Sequence, residues 1–303
     1  MTSEQNHRQL PLGEEIFLDH VGHFAADAEA AAAALASAGF FATPRSVQVG
    51  PDGALTGTGN VTAMFASGYI EVLYKTADMP LGHELDLAIA RYAGVHLAAF
   101  SVSDAGAAHR RLESAGFRMR PIAHMQRPVD TAAGPDTAKF TVTRVERGEM
   151  AEGRIQILTH HTEAVVWQPR WLTHPNGATG LADVVIASAN IDEAAARFSR
   201  FTGTSAVNNA FGKAIRLDRG GVQLMTAESF AELAPDIAVP SLPFIGLYAI
   251  TVRSLAVVRE SLQRGGLPFA ARGGCVFVRF PPALGTGGWV FAETPEHLPW
   301  RAS

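Results

Sequence analysis

Hydrophobic and polar positions follow one recurring order along this chain. An apolar run of strand character leads to a single polar residue, an amphipathic stretch of helical period, a glycine turn and several short alternating runs. The first copy opens on Leu18-Asp19-His20-Val21, passes Asp27 into an alanine-rich helix and turns at Ala38-Gly39-Phe40. The second runs from Val95 to Phe100, through Asp104, to Ala115-Gly116-Phe117. Fainter third and fourth copies run from Val184-Val185-Ile186 through Asn190 to Thr202-Gly203, and from Tyr248-Ala249-Ile250 through Arg253 to Gly265-Gly266-Leu267. Polar residue and turn glycine stand about a dozen residues apart each time, roughly three helical turns. Runs such as Val61 to Ala66, Lys139 to Val145, Val222 to Met225 and Cys275 to Phe280 then read as strands. Each copy is therefore βαβββ. The alanines from Ala30 to Ala34 serve packing, because alanine joins high helix propensity to a side chain small enough for close approach to a sheet.

The pairs of units separate between Trp167-Gln168-Pro169 and Pro175-Asn176-Gly177-Ala178, where prolines and a glycine cluster around aromatics. The expected fold class is α+β, with four βαβββ modules paired into two domains, 16–165 and 180–295, and a boundary near Gly180. The stretches Asp78 to Tyr92 and Arg127 to Asp136 read as long loops and candidate edges of a pocket. With 303 residues, 47% of them hydrophobic and 18% charged, each half can bury its own core. A net charge of −4 offers no basic field to a phosphate backbone, and no apolar run reaches the ~18 residues of a membrane span. Nucleic acid and membrane are thus not expected as partners, whereas a small-molecule substrate is. The acidic stretch before Ile16 lacks an apolar signal core, which makes the cytoplasm the expected location. Cys275, the single cysteine, excludes an intrachain disulfide and reads as a buried thiol beside Val276 and Phe277.

Paired units that open on Leu18-Asp19-His20-Val21 and close on Tyr69-Ile70-Glu71-Val72-Leu73 resemble the vicinal oxygen chelate superfamily. Thr58-Gly59-Asn60, Thr159-His160-His161-Thr162 and His174-Pro175-Asn176-Gly177-Ala178-Thr179-Gly180 are similar to its glyoxalase-like domain proteins in particular. The resemblance covers about residues 16–293. It implies that two units curl their sheets into a cup holding one divalent metal ion (Fe, Mn, Ni or Zn), bound by side chains of the first and last strands. Alternate strand residues point into such a cup, so imidazole and carboxylate from neighbouring strands can converge. By this resemblance His20 and Glu71 are metal ligands. The second unit departs from the pattern: Leu97 stands where His20 does, and His96, one residue out of phase, reaches the cup only through a bulge. A third ligand would come from a bulged His96, from Gln156, which matches Glu71, or from His160.

An unpaired carboxylate facing a sheet interior is costly, which singles out Glu71 between Ile70 and Val72. Glu71, His160 and His124 are candidates for proton transfer, and Asn60, Arg154 and His161 for contacts to substrate. In the third and fourth units His20 corresponds to about Asp183 and Gly246, and Glu71 to Gln223 and Val290. The C-terminal pair is expected to be a degenerate copy that buttresses the first or forms a homodimer. No Gly-x-Ser-x-Gly elbow, phosphate loop or His-Glu-x-x-His pattern points elsewhere. The resemblance implies a metal-dependent glyoxalase-like enzyme acting on vicinal oxygens, with isomerase or lyase chemistry preferred. The alternatives are an extradiol-type dioxygenase and a metal-free small-molecule binding protein of the bleomycin-resistance type.

Overall fold

The computed structural model describes residues 8–50 and 52–301. The first unit comprises β1 (Ile16–Ala25), α1 (Ala28–Ser37), β2 (Ser46–Val49), β3 (Leu55–Met64) and β4 (Tyr69–Lys75). Helix α2 (Pro80–Arg91) leads to β5 (Gly94–Val102), α3 (Ala105–Ser114), β6 (Ala123–Thr131), β7 (Gly134–Arg144) and β8 (Arg154–His160). A strap containing α4 (Glu163–Val166) and a 3-10 turn (Pro169–Trp171) precedes β9 (Ala178–Ala187), α5 (Ile191–Thr202), β10 (Ala206–Asn209), β11 (Gly212–Arg216) and β12 (Gly221–Met225). After α6 (Ala227–Leu233) come β13 (Phe244–Val252), α7 (Leu255–Arg264), β14 (Phe269–Arg272), β15 (Cys275–Arg279) and β16 (Gly288–Ala292).

The recurring polar residues start the helices. Asp27 and Asp104 accept the amides of Glu29 and Ala30, and of Gly106 and Ala107, while Asn190 accepts that of Glu193. Gly39, Gly116 and Gly203 follow with φ of 79°, 86° and 80°, a region closed to most side chains. In the fourth unit both signals shift by one residue. Ser254 caps α7 in place of Arg253, and Gly266 takes the positive φ.

Two expected loops are regular structure. Asp78 to Tyr92 holds α2, whose Pro80 begins the helix where proline is tolerated best. Arg127 to Asp136 forms the arms of the β6–β7 hairpin, whose alternating exposure and Pro128 weaken the strand signal.

In every unit the first strand runs parallel to the last, giving the order β1-β4-β3-β2 in the first unit and its counterpart in the others. Strand β1 pairs antiparallel with β5, and a bridge from Val49 to Gln126 joins β2 to β6, so the N-terminal eight strands close into a barrel. Strands β9 and β13 pair likewise, but β10 and β14 have no mutual pairing among the described residues and the C-terminal sheet stays open. The two halves share one sheet through Ile245 on β13 and Val95 on β5. Glu152, fully buried, takes both guanidinium nitrogens of Arg197 across the junction. Also joining the halves, the Trp289 indole donates to the Tyr248 hydroxyl, which contacts His23 Nε2 at 2.9 Å, while His23 Nδ1 meets the Leu284 carbonyl. Burial pushes the His23 pKa down to about 4, so the ring is neutral and donates through Nδ1. No described helix is long and apolar enough to cross a membrane.

Candidate functional site in the N-terminal barrel

The barrel interior is apolar on one side, where Leu73, Leu97, Val142 and Leu158 meet, and polar on the other. Between them lies a cavity of about 50 Å³, room for a few water-sized groups. His20 and Glu71 both line it. Parallel pairing sets Gly22 beside Glu71, and His20 two residues earlier faces the same way. A bulge at Asp19, between the pairs Leu18–Phe100 and His20–Ala99, re-aims the strand there. Asp19 Oδ1 lies 2.7 Å from His20 Nδ1, and Oδ2 lies 3.0 Å from His160 Nε2. Burial alone would raise the Asp19 carboxyl, but the charge and hydrogen bond of His160, with those of His20, hold it far below the usual range. The ionised carboxylate fixes the proton of His20 on Nδ1 and leaves Nε2 facing Glu71 Oε2 at 3.6 Å. Asn60 Nδ2 donates to Glu71 Oε1 at 2.7 Å, and Tyr69 stacks on His20 with ring centroids 4.4 Å apart.

Three guanidinium groups line the same cavity. Arg127 is 8% exposed and has no hydrogen-bond or ion-pair partner among the described residues. Arg144 Nε donates to Gln156 Oε1 at 2.9 Å and Nη2 meets Met125 Sδ, with no ion pair to a carboxylate among the described residues. Burial, assisted by the charge of Arg154, pushes the Arg144 pKa down to about 9. Only Arg154 is compensated, through Glu84 Oε2 at 3.1 Å.

The donor set does not fit a resident divalent cation. A catalytic metal generally takes three protein ligands and leaves a position open. Here the fifth strand presents Leu97, the Gln156 oxygen is occupied by Arg144, and Glu71 and His20 remain as two donors facing three cations. Among the described residues no three His, Cys, Asp or Glu side chains converge as a metal site would require.

The remaining candidates separate by position. Asn60, Arg154 and Gln156 line the cavity with His20 and Glu71. His160 is buried behind His20 and reaches the site only through Asp19. A bulge does fall at His96, between the pairs Gly22–Leu97 and His23–Val95, but it leaves the ring outside the cavity: Nε2 contacts the Tyr92 carbonyl at 2.6 Å, and burial pushes the pKa down to about 4. It lines a separate outer cleft. His124 and His161 are exposed and meet the Thr141 hydroxyl from either side, away from the cavity. Asp19, Tyr69, Arg127 and Arg144 complete the site and were not singled out in the sequence. The available signal was period two: Arg144 shares its face with Val142, and Arg127 with Met125.

In the C-terminal half the register matches Asp183 to His20 and Gln223 to Glu71. The fourth unit offers Leu247, not Gly246, because Gly246 is itself the bulge. That cup is filled. Leu298 and Trp300, fully buried, pack with Val185, Leu247 and Val290, while Asp183 accepts from Trp300 Nε1 and pairs with Arg301.

Paired βαβββ units with parallel first and last strands around a polar cup define a protein of the vicinal oxygen chelate superfamily. Residues 18–202 match the family model described as a glyoxalase-like domain, and the chain belongs to that family. No curated protein matches its sequence. Among solved structures, a hypothetical protein from Staphylococcus aureus aligns with TM-score 0.61 at 11% identity, over 91% of this chain and 98% of its own. A triple mutant of 4-hydroxymandelate synthase from Streptomyces coelicolor aligns with TM-score 0.58 at 14% identity, over 91% and 92%. A fusion of a xylose isomerase-like TIM barrel with 4-hydroxyphenylpyruvate dioxygenase gives 0.54 at 11%, over 94% of this chain and 50% of that one. At such identities the likeness is one of fold.

Proposed function

We propose that the N-terminal barrel binds a small organic anion without a resident metal and moves a proton on it, in isomerase or lyase fashion. The observation that carries this reading is the pair of Arg127, buried, and Arg144, half-buried, two guanidiniums with no ion pair to a carboxylate among the described residues, facing the cavity that in this superfamily commonly holds a cation. A carboxylate or similar head presents planar acceptors to guanidinium donors and removes the cost of burying them. Its neighbouring carbon then lies near His20 Nε2 and Glu71, one group free to take a proton and the other within 3.6 Å to share it. The guanidiniums would stabilise charge that develops on the substrate oxygens.

Metal analysis by inductively coupled plasma mass spectrometry, with calorimetric titration of acetate and methylphosphonate, tests the reading. Binding to metal-free protein that is lost in Arg127→Ala and Arg144→Met is the expected result. Retention of about one equivalent of divalent metal, lost in His20→Ala and Glu71→Ala, would overturn it and restore the metal-dependent glyoxalase or dioxygenase reading.

A further inference from the structure

Outside the barrel, between α2, the end of β7 and the start of β8, lies a second cleft of about 330 Å³, several times the volume of the cavity within. Its charge is concentrated. Arg120 Nη1, Arg147 Nη2 and Arg154 Nη2 all converge on the one carboxylate of Glu84, at 3.0, 3.5 and 3.1 Å. Arg144 stands close enough to Arg120 and Arg154 for their charges to disfavour its own. Glu146 also lines the cleft, and Arg91 is spent on Ser241 and on the carbonyls of Ala151 and Pro243. Even with Glu84 and Glu146 counted, the guanidiniums are in excess. Arg144 and Arg154 line both the cleft and the barrel cavity, so the two are adjoining spaces with a shared wall of cations.

We propose that the ligand of this protein is two-headed: a small anionic head enters the barrel, and a second anionic group lies in the outer cleft against Arg120 and Arg147. The proposal rests on the anion-binding reading of the barrel and adds the substrate class. Size argues for the division, since a cavity of about 50 Å³ admits a head group and little more, while the cleft can take the body of the molecule. Charge argues for the second group. A single carboxylate shared by three guanidiniums leaves donors unpaired, and a bound carboxylate or phosphoryl group would accept from them in forked geometry. Because Arg144 and Arg154 face both spaces, the two heads would be read together.

Calorimetric titration of the full chain compares the single-headed acetate and methylphosphonate with the two-headed glutarate and 3-phosphonopropionate, in wild type, Arg120→Ala and Arg147→Ala. Arg147 is 66% exposed, so its truncation spares the core. The two-headed ligands are expected to bind at least about tenfold tighter than their single-headed counterparts. Both substitutions should remove that gain and leave acetate affinity unchanged. Two-headed ligands that bind no better than acetate, or whose gain survives both substitutions, overturn the proposal while the barrel reading stands. Absence of binding by every anion overturns both.

Discussion

Replacing Arg144 by methionine should stabilise the ligand-free protein while abolishing its response to anions. Depression of its pKa from the ordinary arginine range to about 9 corresponds, at ~1.4 kcal/mol per decade, to an upper bound on the order of 4 to 5 kcal/mol of unfavourable charge burial. Two features reduce that figure. Arg144 is only partly buried, so water screens it, and its bond to Gln156 returns some of the loss. A net gain of about 1 to 3 kcal/mol on substitution is the expected range, in line with buried charges exchanged for apolar side chains of similar volume. A guanidinium does not readily surrender its proton, so on the proposed reading the wild-type protein would relieve the same cost by taking an anion. The sign follows from linkage. A base whose folded pKa lies below its unfolded value opposes folding while it is charged in both states, so at neutral pH the penalty stands in full. Urea unfolding at low ionic strength, with and without acetate or phosphate, measures both effects. At a hundredfold excess over the dissociation constant, anion should add about 2.7 kcal/mol to wild type and nothing to Arg144→Met. A variant less stable than wild type in anion-free buffer, together with a wild type indifferent to anions, would refute the account.

Three further outcomes follow from the same geometry. Asp19→Asn should cost about 3 to 5 kcal/mol at neutral pH, because a buried ionised acceptor of two histidines is lost. Since the folded carboxyl titrates below its unfolded value of 3.8, its contribution is present above that pH and lost on acidification below it, so acid unfolding curves of variant and wild type should converge there. Arg197→Met, which strands the fully buried Glu152 between the halves, should lower the urea midpoint by an amount equivalent to roughly 3 to 5 kcal/mol. The double substitution Leu97→His with Gln156→Glu should create cobalt binding that wild type lacks, visible in the d–d absorption of the metal, because it adds a second imidazole and a second carboxylate to His20 and Glu71; equal cobalt binding by wild type would contradict the metal-free reading.

The fold was legible because its signals are local and repeated. Asp27, Asp104 and Asn190 cap helices on account of what their side chains accept, and Gly39, Gly116 and Gly203 adopt the φ that glycine tolerates. His20 and Glu71 were legible for a similar reason, since strand period fixes which way they face. Arg144 and Arg127 were not. A charged residue on a half-exposed hairpin strand normally faces solvent, and only closure of the barrel through Val49 and Gln126 encloses this one. Asp19 was hidden by alternation itself: a residue beside His20 should face the opposite side, and the bulge alone brings both to one network. His96 shows the converse, because the bulge that falls on it holds its ring against the Tyr92 carbonyl while Leu97 keeps the inward position.

The two halves solve one electrostatic problem in different ways. A cup built from strand ends gathers polar side chains in a space from which water is largely excluded, and their charges need partners. In the C-terminal half the chain supplies them itself: Asp183, at the position of His20, is paired by Arg301 and Trp300 from the last residues of the fold, and apolar side chains occupy the rest. The charge of that cup is thus neutralised from within the chain. In the N-terminal half the negative partner is missing. Glu71 is already bonded to Asn60, Asp19 is shared by two histidines, and Arg127 and Arg144 make no ion pair among the described residues around an open cavity. On the proposed reading the N-terminal cup is arranged for an anion from outside, with Leu97 at the position that matches His20 and Gln156, under the hand of Arg144, at the position that matches Glu71.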